Sequence, residues 1–481
     1  MRKRSVGINA FLNVLRSIVA LIVPLITYPY VSRVLGAENL GKVNYVYSII
    51  SYFILISGLG ISTYGIREGA RVRDDNQKVT QLISECFSIA VIMTMLSYLV
   101  MILMIFFFPS ISDYKTLFLI EGALVLFDTI GIEWVNTVFE DYLYITIRTI
   151  VVHIISILAI FVFIHERTDY YVYACITVGT TGLVSILNWF HCRKRCKLKF
   201  CVTNNTKSHI KPILVFFANK LAVSLYVNSD VTMIGFLIGD FNVGLYSVSV
   251  KVYTIVKSMI AAMYTVTIPR LASKTGNNDK EGFKNLFSKL SSFMTLAVFP
   301  AMMGLCMLAP NMILLLFGEE YAEAGNSLRI LAIGIIFAIY GGIVSTVYNV
   351  TKGLEKNSLI ATILAAAINI SLNVVLIPTF KEVGAAITTV IAELVTFLYC
   401  FLRDEEIRKT IDWKELRSNF LHAVIGCIEI CVIVLLFKKY INSNLIYVCT
   451  CILTSVCVYA VTLISVKNEF AIILIDKMKN H

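Results

Sequence analysis

An all-α polytopic membrane protein with about fourteen transmembrane helices is the fold class that the sequence predicts. Three observations carry it. Hydrophobic residues make up 58% of the 481 residues and charged ones 15%, and the mean hydropathy is +0.79, which is not the composition of a soluble globular domain. Apolar runs recur that exceed the roughly 20 residues a helix needs to cross a hydrocarbon core of about 30 Å. Lys and Arg collect in every second connection between those runs.

The first element, residues 8–78, is an apolar span, the Gly-rich turn LGAENLG, a second apolar span and a charged loop. It reads as a transmembrane helical hairpin, because only a helix satisfies that many backbone groups inside lipid. Arg2, Lys3 and Arg4 precede a run too long for a signal peptide and without a small-residue cleavage site, so the segment is expected to be retained. Further apolar windows follow at 82–108, 114–138, 143–164 and 171–191, then at 212–238, 243–268, 284–308, 326–348, 358–379, 383–402, 420–437 and 444–466. With the N-terminus inside, cytoplasmic segments hold roughly 30 of the Lys and Arg residues and the opposite side about 8, which fits the positive-inside rule. Both termini are expected in the cytoplasm. That rule also accounts for the net charge of +11, and no nucleic-acid partner is needed to explain it.

Every external connection is short, and the longest candidate is the stretch around Glu319 to Ser327. An enzyme acting on lipid-linked sugars needs a substantial external loop or domain, so the layout argues for movement rather than bond-making. No catalytic triad, Gly-rich phosphate loop or paired-carboxylate site stands out, and no cofactor is implied. Cys192, Cys196 and Cys201, with His191 adjoining, lack zinc spacing and sit among like charges, so they read as reduced thiols and no metal site is expected.

A repeat emerges when the hairpins are compared. Gly36, Asn39 and Gly41 recur as Gly239, Asn242 and Gly244, at an offset of 203 residues. In the same register Arg67 meets Arg270, and Arg16 meets Asn219, the neighbour of Lys220. Six spans separate the copies, so the expected architecture is two parallel six-helix lobes, residues 1–200 and 201–410, with two additional helices at 411–481.

Ionisable groups inside spans are costly and face a bundle interior or a water-filled cavity. The cations are Arg16, Lys220, Lys251 and Lys257, and the acids are Asp128, Glu133, Asp230, Glu393 and Glu429. Arg16 and Lys220 each lie about 12 Å along their helices, too deep for easy snorkelling. Lys251 and Lys257 point about 120° apart, so both cannot face one pore squarely. Asp230 reads as a counter-ion for these lysines or as a packing pair. His153, Asn369 and Asn373 read as interhelical hydrogen-bond residues.

Longer stretches of the chain resemble a known family. PLITYPYVSRVLGAENLGKVNYVYSIISYF followed by GIREGARVRDD is similar to the bacterial polysaccharide flippases of the multidrug, oligosaccharidyl-lipid and polysaccharide exporter superfamily. The likeness continues through EWVNTVFEDYLYITIRTI, with Glu133, Trp134, Glu140 and Arg148, and through Asp230, Lys251, Arg270, Asn373, Pro378 and Glu393. Thr137, Val138 and Val231 depart from the family pattern.

The resemblance implies a flippase that moves undecaprenyl-diphosphate-linked oligosaccharides, the repeat units of O-antigen or capsule, across the bacterial cytoplasmic membrane by alternating access. It implies membrane lipids, a polysaccharide polymerase and other assembly proteins as partners. A diphosphate needs cations to leave water, Arg for bidentate contacts and Lys as a point charge. Arg16 and Lys220 are therefore the expected diphosphate-binding residues, assisted by Lys251 or Lys257. Asp230, Asp128 and Glu133 are the candidates for ion coupling or counter-ions. The competing readings are a peptidoglycan lipid-precursor flippase, a drug/cation antiporter of the same superfamily, and a non-transporting scaffold of a polysaccharide assembly complex.

Overall fold

The computed structural model describes residues 6–196, 198–203 and 206–473, so the cations Arg2, Lys3, Arg4 and Lys197, which the sequence assigns to the cytoplasmic side, lie outside the described residues. Among the described residues regular structure is helical and there is no strand. Eleven helical stretches are long and apolar enough to cross a membrane. Two of them are double. Helix α1 (Val6–Gly58) is broken at Gly36, whose φ of 76° and ψ of 169° suit a residue without Cβ. That break is the turn of the opening hairpin. Helix α14 (Glu355–Arg403) is broken in the same way at Lys381, with φ 53° and ψ −135°, three residues after Pro378. With the shorter apolar helix Lys115–Gly131, the described residues hold about fourteen apolar helical segments.

The chain forms two compact units, Met1–Gly244 and Leu245–His481. In the first, α1 is followed by α2 (Ile61–Val72), α3 (Asn76–Phe107), α4 (Lys115–Gly131), α5 (Glu133–Val138), α6 (Tyr142–Phe163), α7 (Tyr170–Arg193) and α8 (Thr206–Ile238). Two apolar clusters hold it together. Val46, Ile50, Phe118, Val125 and Ala174 join α1, α4 and α7. Ile83, Cys86, Val135, Cys192 and Ile213 join α3, α5, α7 and α8. Helix α3 begins where Asp75 accepts hydrogen bonds from the backbone N–H groups of Gln77 (3.0 Å) and Lys78 (3.1 Å), an Asp N-cap of the usual kind.

Between α4 and α5 the chain changes direction at a single residue. Ile132 takes up φ 31° and ψ 37° there, a left-handed conformation that is strained for a β-branched residue. It ends α4 at Gly131 and lets α5 start afresh at Glu133.

In the second unit α9 (Asp240–Thr265), which begins at the end of the first, leads to α10 (Ile268–Gly276), α11 (Lys280–Phe317), α12 (Ala324–Gly342), a π-helical turn at Ile343–Tyr348, α13 (Asn349–Lys352), α14, α15 (Glu405–Thr410), α16 (Trp413–Tyr440) and α17 (Asn444–Ser465). Asp279 caps α11 through the Gly282 N–H (2.8 Å) and Asp412 caps α16 through the Lys414 N–H (3.0 Å). Polar side chains staple the apolar helices. Asn373 donates to Asn369 (3.2 Å), Asn369 to Thr388 (3.3 Å), and Thr388 to Asn373 (2.5 Å), closing a buried knot between the two halves of α14. Asn311 and Asn444 fasten α11 to α17 with two bonds of 2.9 Å. These are the interhelical hydrogen bonds expected of Asn in lipid. All twelve cysteines are free thiols, and burial raises the Cys196 thiol above its ordinary value.

Candidate functional site

The first unit holds an open cavity of about 440 Å³ whose lining includes Ser62, Asp128, Glu133, Asn188 and Lys220. Helix α8 brings in Lys220, whose ammonium donates to the Ser62 hydroxyl of α2 at 2.7 Å. Asp128 stands on α4 one turn before the break at Ile132, and Glu133 is the first residue after it. The break thus turns two carboxylates, five positions apart in sequence, into the same cavity.

Glu133 is the hub of an ion cluster. One carboxylate oxygen is ion-paired with Arg16 of α1 at 2.8 Å, and the other accepts from Arg148 of α6 at 2.9 Å. Arg148 is buried, with 4% of its surface exposed, and also donates to the Asn188 carboxamide oxygen of α7. That oxygen takes a further bond from Asn136 (3.0 Å). Arg16 keeps 36% of its side chain exposed and Glu133 keeps 35%. On formal charges, Lys220 shares the cavity lining with Asp128 and Glu133, and Arg16 and Arg148 pair with Glu133 from outside that lining, so the five groups together carry one positive charge. Such a site attracts an anion.

The other residues singled out from the sequence lie elsewhere. Asp230, in the first unit, is buried at 3% exposure. Lys251 and Lys257 stand in the second unit on α9. The Lys257 ammonium is 2.6 Å from Glu393 of α14, and the Tyr253 hydroxyl donates to the same carboxylate oxygen at 3.1 Å. Glu393 is thus the counter-ion of Lys257, the role for which Asp230 was a candidate.

Arg148 and Asn188 enter the ion cluster although the sequence pattern did not single them out as site residues. Arg148 stands in an apolar helix, as Arg16 does, and the same cost argument would have selected it. A second buried cluster also went unread. Glu85 of α3 is 2.7 Å from His209 Nε2 of α8, and His209 Nδ1 is 2.5 Å from the Tyr64 hydroxyl of α2. Gln81 and Thr203 donate to the same carboxylate at 2.9 and 2.6 Å.

Comparison with known proteins bears on the family and the fold. Residues 6–274 match the family described as polysaccharide biosynthesis protein, and residues 216–375 match the MatE family. A putative O-antigen transporter of Escherichia coli (strain K12) is 22% identical over 395 residues, 80% of this chain and 94% of its own. A probable lipid II flippase MurJ of Thermotoga maritima is 30% identical over 190 residues, 38% of this chain and 37% of its own. A solved lipid II flippase MurJ in an inward closed conformation superposes with a TM-score of 0.75 at 16% identity, over 95% of this chain and 100% of that one, and so shares the fold. With a family match that spans more than half of the chain, this multi-pass membrane protein belongs to the polysaccharide biosynthesis protein family, the polysaccharide flippases of the multidrug/oligosaccharidyl-lipid/polysaccharide exporter superfamily.

Proposed function

We propose that the chain translocates undecaprenyl-diphosphate-linked oligosaccharide repeat units across the bacterial cytoplasmic membrane for surface polysaccharide biosynthesis, with both termini in the cytoplasm. The observation that carries this reading is the surplus of positive charge in the ion cluster around the cavity of the first unit, where exposed Lys220 lines the cavity and partly exposed Arg16 is ion-paired with cavity-lining Glu133. A diphosphate cannot enter hydrocarbon unaided, and a preformed cationic site lowers that barrier by replacing lost hydration. The oligosaccharide would stay in the aqueous cavity while the prenyl chain stays in lipid. The lobes, residues 1–200 and 201–410, would alternate between inward-open and outward-open states. The relative in Escherichia coli, a putative O-antigen transporter, supports the same substrate class.

The test is surface polymer in a strain that lacks its own transporter. Arg16→Ala and Lys220→Ala should each lose most of the polymer at normal protein level, and Arg16→Lys should retain more than Arg16→Ala. Normal polymer from both Ala variants overturns the diphosphate assignment. The segment shared with the Thermotoga maritima protein favours one second reading, a peptidoglycan-precursor flippase. That reading requires the gene to sustain growth when the endogenous lipid II flippase is depleted.

A further inference from the structure

The two oxygens of Glu133 serve two arginines of different freedom. Arg148 is buried at 4% exposure and is tied to Asn188. Its departure from Glu133 would leave a buried guanidinium without a counter-charge, the costliest way to break such a pair. Arg16 has 36% of its side chain exposed and can trade one anionic partner for another at small cost. The backbone enforces the same asymmetry. Glu133 follows the left-handed Ile132 and precedes Trp134, which is 8% exposed, so its backbone is held in place while its second oxygen is held by buried Arg148.

Oε1 of Glu133 therefore occupies on Arg16 the place that a phosphate oxygen of a ligand would take. We propose that Glu133 is an exchangeable counter-ion, which holds Arg16 while the cavity is empty and yields it to the diphosphate of a lipid-linked substrate. This rests on the reading that Arg16 meets a diphosphate. After the exchange Glu133 remains compensated by Arg148, so no buried charge is stranded. The device also sets a threshold. A ligand must outcompete a carboxylate in place, which a diphosphate with several charged oxygens does better than an anion with one phosphate. Glu133 thereby selects diphosphates.

The exchange can be measured on the purified full-length protein with inorganic pyrophosphate and inorganic phosphate as probes, by calorimetry. Glu133→Gln, whose amide oxygen still accepts from Arg148, should bind pyrophosphate about fivefold more tightly, the size a half-exposed ion pair supplies. Its preference for pyrophosphate over phosphate should also narrow. Glu133→Asp keeps the charge on Arg148 but withdraws it from Arg16, should tighten binding by a smaller factor, and serves if the Gln variant does not fold. Glu68→Gln removes a carboxylate paired with Arg67 and Arg71 and should leave the affinity unchanged. If Glu133→Gln and Glu133→Asp bind no more tightly than the parent while Arg16→Ala loses binding, the exchange is wrong and the diphosphate reading stands. Equal tightening by Glu68→Gln reduces the effect to bulk charge and also overturns it. Unchanged binding by Arg16→Ala removes the diphosphate reading, and the exchange with it.

Discussion

Gly41 and Gly244 pack reciprocally. A side chain on Gly41 would run into the backbone carbonyl of Asp240, and one on Gly244 would run into the backbone carbonyl of Ala37. Asp240 and Gly244 stand 203 residues after Ala37 and Gly41, so each copy of the repeated turn presents the same two positions to the other. The glycines let two helix ends approach to backbone contact, the role small residues have in membrane helix packing. Substitution by Ala should therefore cost about 1–3 kcal/mol through overpacking. Gly41→Ala and Gly244→Ala should each lower the unfolding midpoint in detergent. Because both act on one contact, the double variant should cost less than the two losses combined. Full additivity would mean that the turns do not constrain each other.

Arg148 should be the most stability-sensitive cation of the ion cluster. It is the buried member, and its loss leaves Glu133 with Arg16 alone and Asn188 without its charged donor. Arg148→Ala is expected to cost about 3 kcal/mol, as for a buried pair broken from one side. Arg148→Lys should recover part of this, since an ammonium can reach Glu133 but cannot span both partners as a guanidinium does. Thermal unfolding of the purified variants checks the order. A loss for Arg16→Ala larger than for Arg148→Ala would reverse the assignment of permanent and exchangeable partners.

The range of each signal decides whether the sequence shows it or hides it. Apolar runs, the alternation of basic connections and the Gly-rich turn are local, and a chain read in short windows displays them. The break at Ile132 carries neither Gly nor Pro at the residue itself, so the carboxylates of Asp128 and Glu133 were legible as residues but not as neighbours in one cavity. Arg148 and Asn188 lie 40 residues apart, and Lys257 and Glu393 lie 136 apart. No periodicity links such pairs. Glu85 and His209 were hidden differently, because single polar residues in apolar windows barely move a hydropathy average.

Two capping carboxylates outside the spans set an expectation for acid. The Lys274 ammonium, 2.6 Å away, and the Gly282 N–H hold Asp279 below its ordinary value of 3.8. The backbone N–H of Lys78, followed by its ammonium, does the same for Asp75. A carboxylate depressed in the folded state contributes stability that is fully present above 3.8 and fades as pH falls through the folded value. These caps should therefore leave the unfolding midpoint flat between about pH 5 and 8 and lower it below about pH 4. Asp279→Asn keeps an oxygen for the cap but no titratable charge, so its midpoint should fall less steeply at the acid end. A slope equal to the parent's would mean that other carboxylates dominate.

Lys257 presents the sharpest choice between packing and transport. It was a candidate for the diphosphate, yet its ammonium is 2.6 Å from Glu393, whose side chain is 8% exposed against 33% for Lys257. Tyr253 donates to the same oxygen. Removing the lysine leaves a buried carboxylate with one phenol for company, whereas neutralising the acid leaves a lysine that can rehydrate, so the two losses should be unequal. Lys257→Ala should lower the unfolding midpoint and protein level more than Glu393→Gln. The double variant should be more stable than Lys257→Ala alone, because the stranded charge is gone. If the pair only packs the helices, surface polymer will follow protein level through all three variants. If Lys257 also meets the substrate, the double variant will recover stability without recovering polymer, since the cation is absent whatever becomes of its partner. Stability and polymer measured on the same four proteins therefore separate the two roles.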